Sequence, residues 1–116
     1  MINRLFIANR GEIALRVVRA ARALGIESIL AVSVADRDSA VSREADRVVV
    51  GGAAPARSSY LNAPALIHAA KLSGCDAVHP GYGFLSERAS FAKLCEDEDI
   101  IFVGPRSETI EVVGDK

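Results

Sequence analysis

The sequence RLFIANRGEIALRVVRAARAL, residues 4–24, determines the architecture predicted for the whole chain. Residues 4–9 form a short apolar run without alternation, which is typical of a strand buried on both faces of a parallel sheet. A turn signal at residues 9–11 follows, and apolar residues then recur at helical spacing. The predicted buried face of this helix comprises Ile13, Val17, Ala20, Ala21 and Leu24. Gly25 is predicted to end the helix, since glycine readily adopts the left-handed conformation that follows a helix.

The rest of the chain repeats this alternation of strand and helix. Further apolar runs predict strands at residues 29–34, 47–50, 76–78 and 100–103. Helical patterns predict helices at residues 41–45, from Asn62 to Leu72, from Ser86 and from Ser107. We therefore predict an α/β fold with an open parallel sheet flanked by helices. No repeat or composition shift divides residues 1–116, so the sequence predicts a single domain.

The composition excludes several classes of function. The net charge of the 116 residues is −1 and no basic stripe is present, so we expect no nucleic-acid surface. No apolar run approaches the roughly 20 residues that a membrane span requires. The N-terminus leads directly into a strand, so no secretory signal is predicted. Cys75 and Cys95 lack a Cys-x-x-Cys spacing, which favours two reduced thiols in a cytoplasmic protein.

The sequence HPGYGFLSE, residues 79–87, is the main candidate for ligand binding. It follows the fourth predicted strand, and ligands of open α/β sheets bind outside the carboxyl ends of the strands. Gly81 and Gly83 permit close approach of a ligand to the backbone, whose N–H groups could hold an anion. Tyr82 offers a ring and a hydroxyl group, and Glu87 offers a carboxylate.

The residues alone leave open a purely structural role for this segment. Residues 79–87 could form a tight connection from strand to helix, with Phe84 and Leu85 in the core. For His79 a packed or hydrogen-bonded side chain is favoured over a catalytic one. A dinucleotide site is disfavoured, because Gly11 is the only glycine in the first turn and Asp36 alone matches a ribose-binding acid.

Five strings of the sequence resemble biotin carboxylases in their order and spacing. They are IANRGEIA at residues 7–14, SYLN at 59–62, HPGYGFLSE at 79–87, FVGP at 102–105 and GDK at 114–116. The resemblance implies the N-terminal domain of a biotin carboxylase, of the acetyl-CoA or propionyl-CoA carboxylase type. It also implies a Rossmann-like sheet that precedes an ATP-grasp fold. Pyruvate, methylcrotonyl-CoA and urea carboxylases share these strings, so the acyl acceptor stays open.

The resemblance also implies a reaction and its partners. Biotin carboxylases use ATP, Mg²⁺ and bicarbonate to form carboxyphosphate, and then carboxylate N1 of biotin on a carrier domain or protein. The implied partners are the rest of the carboxylase chain, the biotin carboxyl carrier, a carboxyltransferase and a second copy in a homodimer. The family's lid, magnesium-binding acids, bicarbonate-binding arginine and catalytic base lie beyond Lys116. We therefore expect no catalytic residue, no tightly bound cofactor and no activity in this chain alone.

The resemblance assigns roles to a few positions. Lys116 matches a lysine that contacts an ATP phosphate. Tyr82, Gly83 and Glu87 match a loop that faces the cleft near biotin. A separate pair, Arg16 and Arg19, matches the helix of the family's dimer contact, although the residues alone predict only a solvated arginine face.

Two positions depart from the sequence pattern of biotin carboxylases, and two other functions stay open. Ala23 stands where a well-known member has glutamate, which weakens the expected ion pairing at the dimer contact, and Arg88 stands where asparagine is usual. The alternative function is a free-standing Rossmann-like module that binds a nucleotide or a partner protein. A third option is a flavodoxin-like dehydrogenase or response domain.

Overall fold

The computed structural model describes residues 2–9, 11–32, 39–50, 63–80 and 89–103. Its strands are β1 (Arg4–Ile7), β2 (Glu27–Val32), β3 (Arg47–Val50), β4 (Ala77–His79) and β5 (Ile101–Phe102). Its helices are α1 (Gly11–Ala23), α2 (Ala40–Glu44), α3 (Ala63–Leu72) and α4 (Ala89–Asp97). The predicted α/β alternation is confirmed. The helix predicted from Ser107 lies outside the described residues, as does the predicted start of α4 at Ser86.

The five strands form one parallel sheet in the order β3-β2-β1-β4-β5. The central strand is β1, in which Phe6 pairs with Ile29 of β2 and with Val78 of β4. The chain adds strands on one side of β1 and then crosses to the other side. The order of the strands therefore reverses next to β1, which in open α/β sheets is where a crevice forms at the carboxyl edge.

Both faces of the sheet are covered by apolar side chains, which explains why the strands lack alternation. On one face, α3 and α4 pack on β1, β2 and β4; the cluster includes Phe6, Ile67, Val78, Phe91 and Cys95. On the opposite face, α1 and α2 pack on the same strands through a second cluster that includes Leu5, Ile7, Val18, Leu30 and Val41. No helix in the described ranges is long and apolar enough to cross a membrane.

The predicted buried face of α1 is correct at Ala21 but wrong at Ala20 and Leu24, which are exposed. The helix packs through Ala14, Val18 and Ala21, whereas 75% of Leu24 is exposed. Apolar residues occupy more than half of the circumference of α1, so their periodicity does not select one face. The small side chains of Ala14 and Ala21 allow the helix to approach the sheet closely, and that packing decides its rotation.

Glycines end two helices as the sequence predicts. Gly25 follows α1 with φ of 73°, and Gly74 follows α3 with φ of 71°. A Cβ atom on Gly74 would lie 2.8 Å from Nη1 of Arg4, whose guanidinium also donates to the Ser73 carbonyl. The positive φ favours glycine at position 74, whereas the Arg4 guanidinium lies at the end of a flexible side chain and could move away from a Cβ atom.

Carboxylate side chains bind the backbone at the first residues of the strands. These residues lie at the edge of the sheet opposite the crevice. The Asp76 carboxylate accepts hydrogen bonds from the backbone N–H groups of Asn3 and Arg4, at 3.0 and 3.2 Å. Asp46 and Ser28 bond reciprocally: the Ser28 N–H donates to the Asp46 carboxylate at 2.8 Å, and the Asp46 N–H donates to the Ser28 hydroxyl at 3.1 Å. These bonds satisfy backbone donors that the parallel ladder leaves unpaired.

We expect Phe91→Ala to lower the free energy of unfolding by about 3–5 kcal/mol, because the ring is fully buried and its loss leaves a cavity. The ring also packs edge-on against Phe102, with centroids 5.9 Å apart. Urea denaturation of the 116-residue chain measures the change. The control is Leu72→Ala, whose side chain is 75% exposed and whose loss should cost no more than about 0.5 kcal/mol. Equal effects of the two substitutions would contradict the assigned core.

Candidate functional site

The candidate site lies at the carboxyl ends of β1 and β4, beside the reversal of strand order. The two strands are adjacent and parallel, with Ile7 paired to His79. Their pairing continues past β1, where the Ala8 N–H donates to the His79 carbonyl at 3.0 Å. The segments that leave this edge are residues 10–11, which lead into α1, and residues 81–88, which lead into α4. The fold thus places residues 7–9 and 79–80, which belong to the two longest motifs of the sequence, side by side.

Asn9 connects these two motifs through its side chain. Its Nδ2 donates to the Pro80 carbonyl at 2.7 Å, although the two residues are 71 positions apart in the chain. Only 2% of Asn9 is exposed, and Pro80 is fully buried. In the described part of the chain, every buried side-chain nitrogen and oxygen has a hydrogen-bond partner. The sequence suggested only a turn at residues 9–11, and the one available signal was a polar amide directly after a buried strand.

His79 is the last residue of β4 and lies half-buried on the face of the sheet that α1 covers. Burial lowers the pKa of His79 below its ordinary value of 6.5, because the charged imidazolium loses hydration. The imidazole is therefore neutral at pH 7. This placement agrees with the expectation of a packed histidine.

An apolar groove of about 380 Å³ runs beside α1. It is lined by residues that include Val17, Ala20, Leu24, Ile26, His79 and Val103. Three of these residues belong to the α1 face that the sequence predicted to be buried. Part of that face thus lines a groove, although Ala21 also belongs to the core and Val17 packs against it.

The two arginines assigned to a dimer contact have different surroundings. Arg19 donates to the Glu44 carboxylate of α2, with Nη2 and Oε2 3.1 Å apart, and Arg22 contacts the same carboxylate. This hydrogen bond raises the pKa of Arg19 and lowers that of Glu44. Arg16 is exposed and borders the apolar groove. Arg19 therefore contributes to the packing of α1 on α2, whereas Arg16 extends from the surface.

The remaining residues singled out in the sequence lie outside the described ranges. They are Asp36, Gly81, Tyr82, Gly83, Phe84, Leu85, Glu87, Arg88 and Lys116. Pro80, which immediately precedes residues 81–88, lies next to Asn9. Their assigned roles stay predictions.

Both cysteines are buried free thiols. Burial raises the pKa of Cys75 to about 11 and that of Cys95 to about 12, so both are protonated at neutral pH. Across residues 2–9, 11–32, 39–50, 63–80 and 89–103, no three His, Cys, Asp or Glu side chains are grouped as metal ligands. The expectation of two reduced thiols agrees with this environment.

The chain matches known proteins over its whole length. A family model described as biotin carboxylase, N-terminal domain, matches residues 1–110. The chain is 55% identical over 116 residues to a biotin carboxylase of Allochromatium vinosum, covering all of this chain and 26% of that protein. It is 51% identical over 115 residues to the mitochondrial methylcrotonoyl-CoA carboxylase subunit alpha of Glycine max, covering 99% of this chain and 16% of that protein.

Solved structures give the same result. The biotin carboxylase subunit of a pyruvate carboxylase superposes with a TM-score of 0.96 at 43% identity, covering all of this chain and 26% of that one. The biotin carboxylase domain dimer of Hydrogenobacter thermophilus 2-oxoglutarate carboxylase, in complex with MgADP, ADP and bicarbonate, has a TM-score of 0.96 at 41% identity. The match covers all of this chain and 25% of that one. The chain thus spans about a quarter of the length of the biotin carboxylases it matches.

We expect the stability of the chain to fall as the pH is lowered from about 7 to about 5. In this window the unfolded chain binds a proton at His79 more readily than the folded chain, whose pKa is lowered, so protonation favours unfolding. His79→Gln removes this titration and should flatten the dependence. Urea denaturation at several pH values measures it.

The matched control is His68→Gln, because His68 is exposed on α3. This variant should keep the pH dependence of the wild type. If His79→Gln and the wild type lose stability equally between pH 7 and pH 5, the buried environment assigned to His79 is wrong.

Proposed function

Since the chain belongs to the family of biotin carboxylase N-terminal domains, we propose that it forms one wall of the active site of a larger ATP-dependent biotin carboxylase. The observation that carries this proposal is the match over the whole chain, with 55% identity over 116 residues. The fold agrees with it, since residues 7–9 and 79–80, which belong to these two motifs, lie together at the carboxyl edge of the sheet. Residues 1–116 constitute a single domain in this proposal, and the ATP-grasp part follows it.

The proposed reaction has two steps. A bicarbonate oxygen attacks the γ-phosphorus of ATP, the bond from that phosphorus to the bridging oxygen breaks, and ADP and carboxyphosphate form. The carboxyl group then passes to N1 of biotin, phosphate leaves, and N1 gives its proton to a base outside this chain. Magnesium would neutralise charge on the phosphates. In line with the resemblance to biotin carboxylases, we assign its ligands to the part beyond Lys116.

Within this reaction the chain's own residues bind and orient substrates. Lys116 places an ammonium group against an ATP phosphate, a role that suits its compact charge. Tyr82, Gly83 and Glu87 face the biotin end of the cleft. The position of Pro80 at the carboxyl edge of β4 supports this assignment, because residues 81–88 start there.

The proposed partners follow from the same membership. They are the remainder of the carboxylase, a biotin carboxyl carrier domain or protein, and a carboxyltransferase of the acetyl-CoA or propionyl-CoA type, in the cytoplasm. A homodimer is part of the proposal, and a dimer is named for the Hydrogenobacter thermophilus relative. We place Arg16 at the dimer contact as a direct contact, because it is exposed. Arg19 would also lie at the dimer contact, with its side chain still paired with Glu44.

The test uses the full-length carboxylase that carries this chain, assayed for bicarbonate-dependent ATP cleavage and for carboxylation of free biotin. Lys116→Gln should raise the KM for ATP by about 10- to 100-fold, since a hydrogen bond to a charged group contributes about 1.5–3 kcal/mol. The control is Lys93→Gln, which removes only a surface pair with Asp97 at 3.1 Å and should leave the KM unchanged.

Two results would contradict the proposal at different levels. An unchanged KM for ATP in Lys116→Gln would remove the role of Lys116. Absence of bicarbonate-dependent ATP cleavage by the wild-type full-length enzyme would overturn the proposed function itself.

A further inference from the structure

One flank of α1 is apolar and partly open to water. Val17, Ala20 and Leu24 recur at helical spacing along this flank and line the groove of about 380 Å³. Ala20 and Leu24 are exposed, and 75% of Leu24 is accessible to water. Neighbouring apolar side chains are unfavourable in water, and a patch of them marks a surface on which another part of a protein packs.

The apolar surface continues from the groove onto β5. Val103 lines the groove and packs on the core cluster that contains Ala77. Ile101 pairs in register with Ala77, so its side chain faces the same side of the sheet, and 49% of it is exposed. Within the described part of the chain, the helices on this face are α1 and α2, and α1 contacts β1 and β2. Ile101 is therefore available to a further layer of packing.

The opposite flank of α1 is polar and already paired. Arg19 and Arg22 both contact the Glu44 carboxylate of α2, and Arg22 also donates to the Glu44 carbonyl at 2.6 Å. Of the described residues that line the groove, only Arg16 is charged at pH 7, because burial lowers the pKa of His79 and keeps its imidazole neutral. The groove therefore suits an apolar occupant and lies on a different flank from the paired arginines.

The position of the groove favours an occupant from the same polypeptide. The chain spans 26% of the biotin carboxylase of Allochromatium vinosum, so most of that relative lies outside the part matched. Val103 is the last described residue after β5 and is itself part of the groove wall, so the polypeptide leaves the sheet beside the groove. A segment tethered to the groove wall has an effective concentration on the order of millimolar, which favours it over a free partner.

We propose that the groove beside α1 is a docking site for an apolar segment from the part of the same polypeptide that follows Lys116. The groove is then an interface between domains of one full-length carboxylase, with Val17 and Leu24 in its buried centre. Domain interfaces within one chain bury about 600–1,500 Å², so the docked part also covers Ile101 on the same sheet face. The inference rests on the proposed function, which makes this chain part of a larger carboxylase.

Thiol labelling of the full-length carboxylase tests whether the groove is covered. Leu24 and Leu72 form a matched pair, because both lie at the end of a helix and 75% of each is exposed in this chain. In Leu24→Cys the new thiol should react with N-ethylmaleimide at least about 100-fold more slowly in the folded enzyme than in urea, because the docked segment excludes the reagent. In Leu72→Cys the slowing should stay below about tenfold. Mass spectrometry of the labelled peptides separates these thiols from Cys75 and Cys95.

Photo-cross-linking identifies the occupant. With p-benzoylphenylalanine in place of Leu24, the full-length enzyme should form a product that keeps the mass of one polypeptide, and the cross-linked peptide should come from beyond Lys116. A product of twice that mass would place a second copy in the groove. A cross-link to another protein, a cross-link within residues 1–116, or no cross-link would equally overturn the inference. Slowing below about tenfold in Leu24→Cys, or equal slowing in Leu72→Cys, would overturn it as well.

These two measurements separate the inference from the proposed function, since neither requires carboxylation. If the wild-type full-length protein cleaves no ATP but position 24 is protected and cross-links beyond Lys116, the proposed function fails and the docking stands. If ATP cleavage depends on bicarbonate but the thiol at position 24 reacts freely, the docking fails and the proposed function stands.

Discussion

The structure depends on the burial of β1 between two parallel neighbours and two layers of helices. Its Phe6 and Ile7 are fully buried on opposite faces, one under α3 and α4 and the other under α1 and α2. A parallel strand of this kind needs cover on both faces, since neither face can be left to water without exposing apolar side chains. The helices, their loops and the reversal of strand order all follow from supplying that cover.

The same constraint creates the candidate site. Because the chain builds β2 and β3 on one side of β1 and then β4 and β5 on the other, the carboxyl ends of β1 and β4 are neighbours with separate connections. In many folds of this kind a ligand enters there. In this chain the buried Asn9–Pro80 hydrogen bond joins the two strands at that point.

The order and type of the elements could be predicted, because apolar runs and helical spacing are local signals. The buried face of α1 could be predicted only in part: Ala21 was expected to be buried, whereas Ala14 is small and weakly apolar beside Val17 and Leu24, and only close packing on the sheet selects it. The Asn9 contact joins residues 71 positions apart and leaves no local pattern. The roles of residues 81–88 and Lys116 came from the resemblance to biotin carboxylases, and no contact of the described residues tests them.

We propose that this chain supplies one wall of a composite nucleotide site and holds no complete nucleotide site of its own. A calorimetric titration with MgATP tests it most directly, using the 116-residue chain and the full-length carboxylase under identical conditions. We expect the full-length enzyme to bind MgATP saturably and the 116-residue chain alone to show no binding up to about 1 mM nucleotide. Saturable binding of MgATP to the chain alone in the micromolar range would contradict it and favour a self-contained nucleotide-binding module.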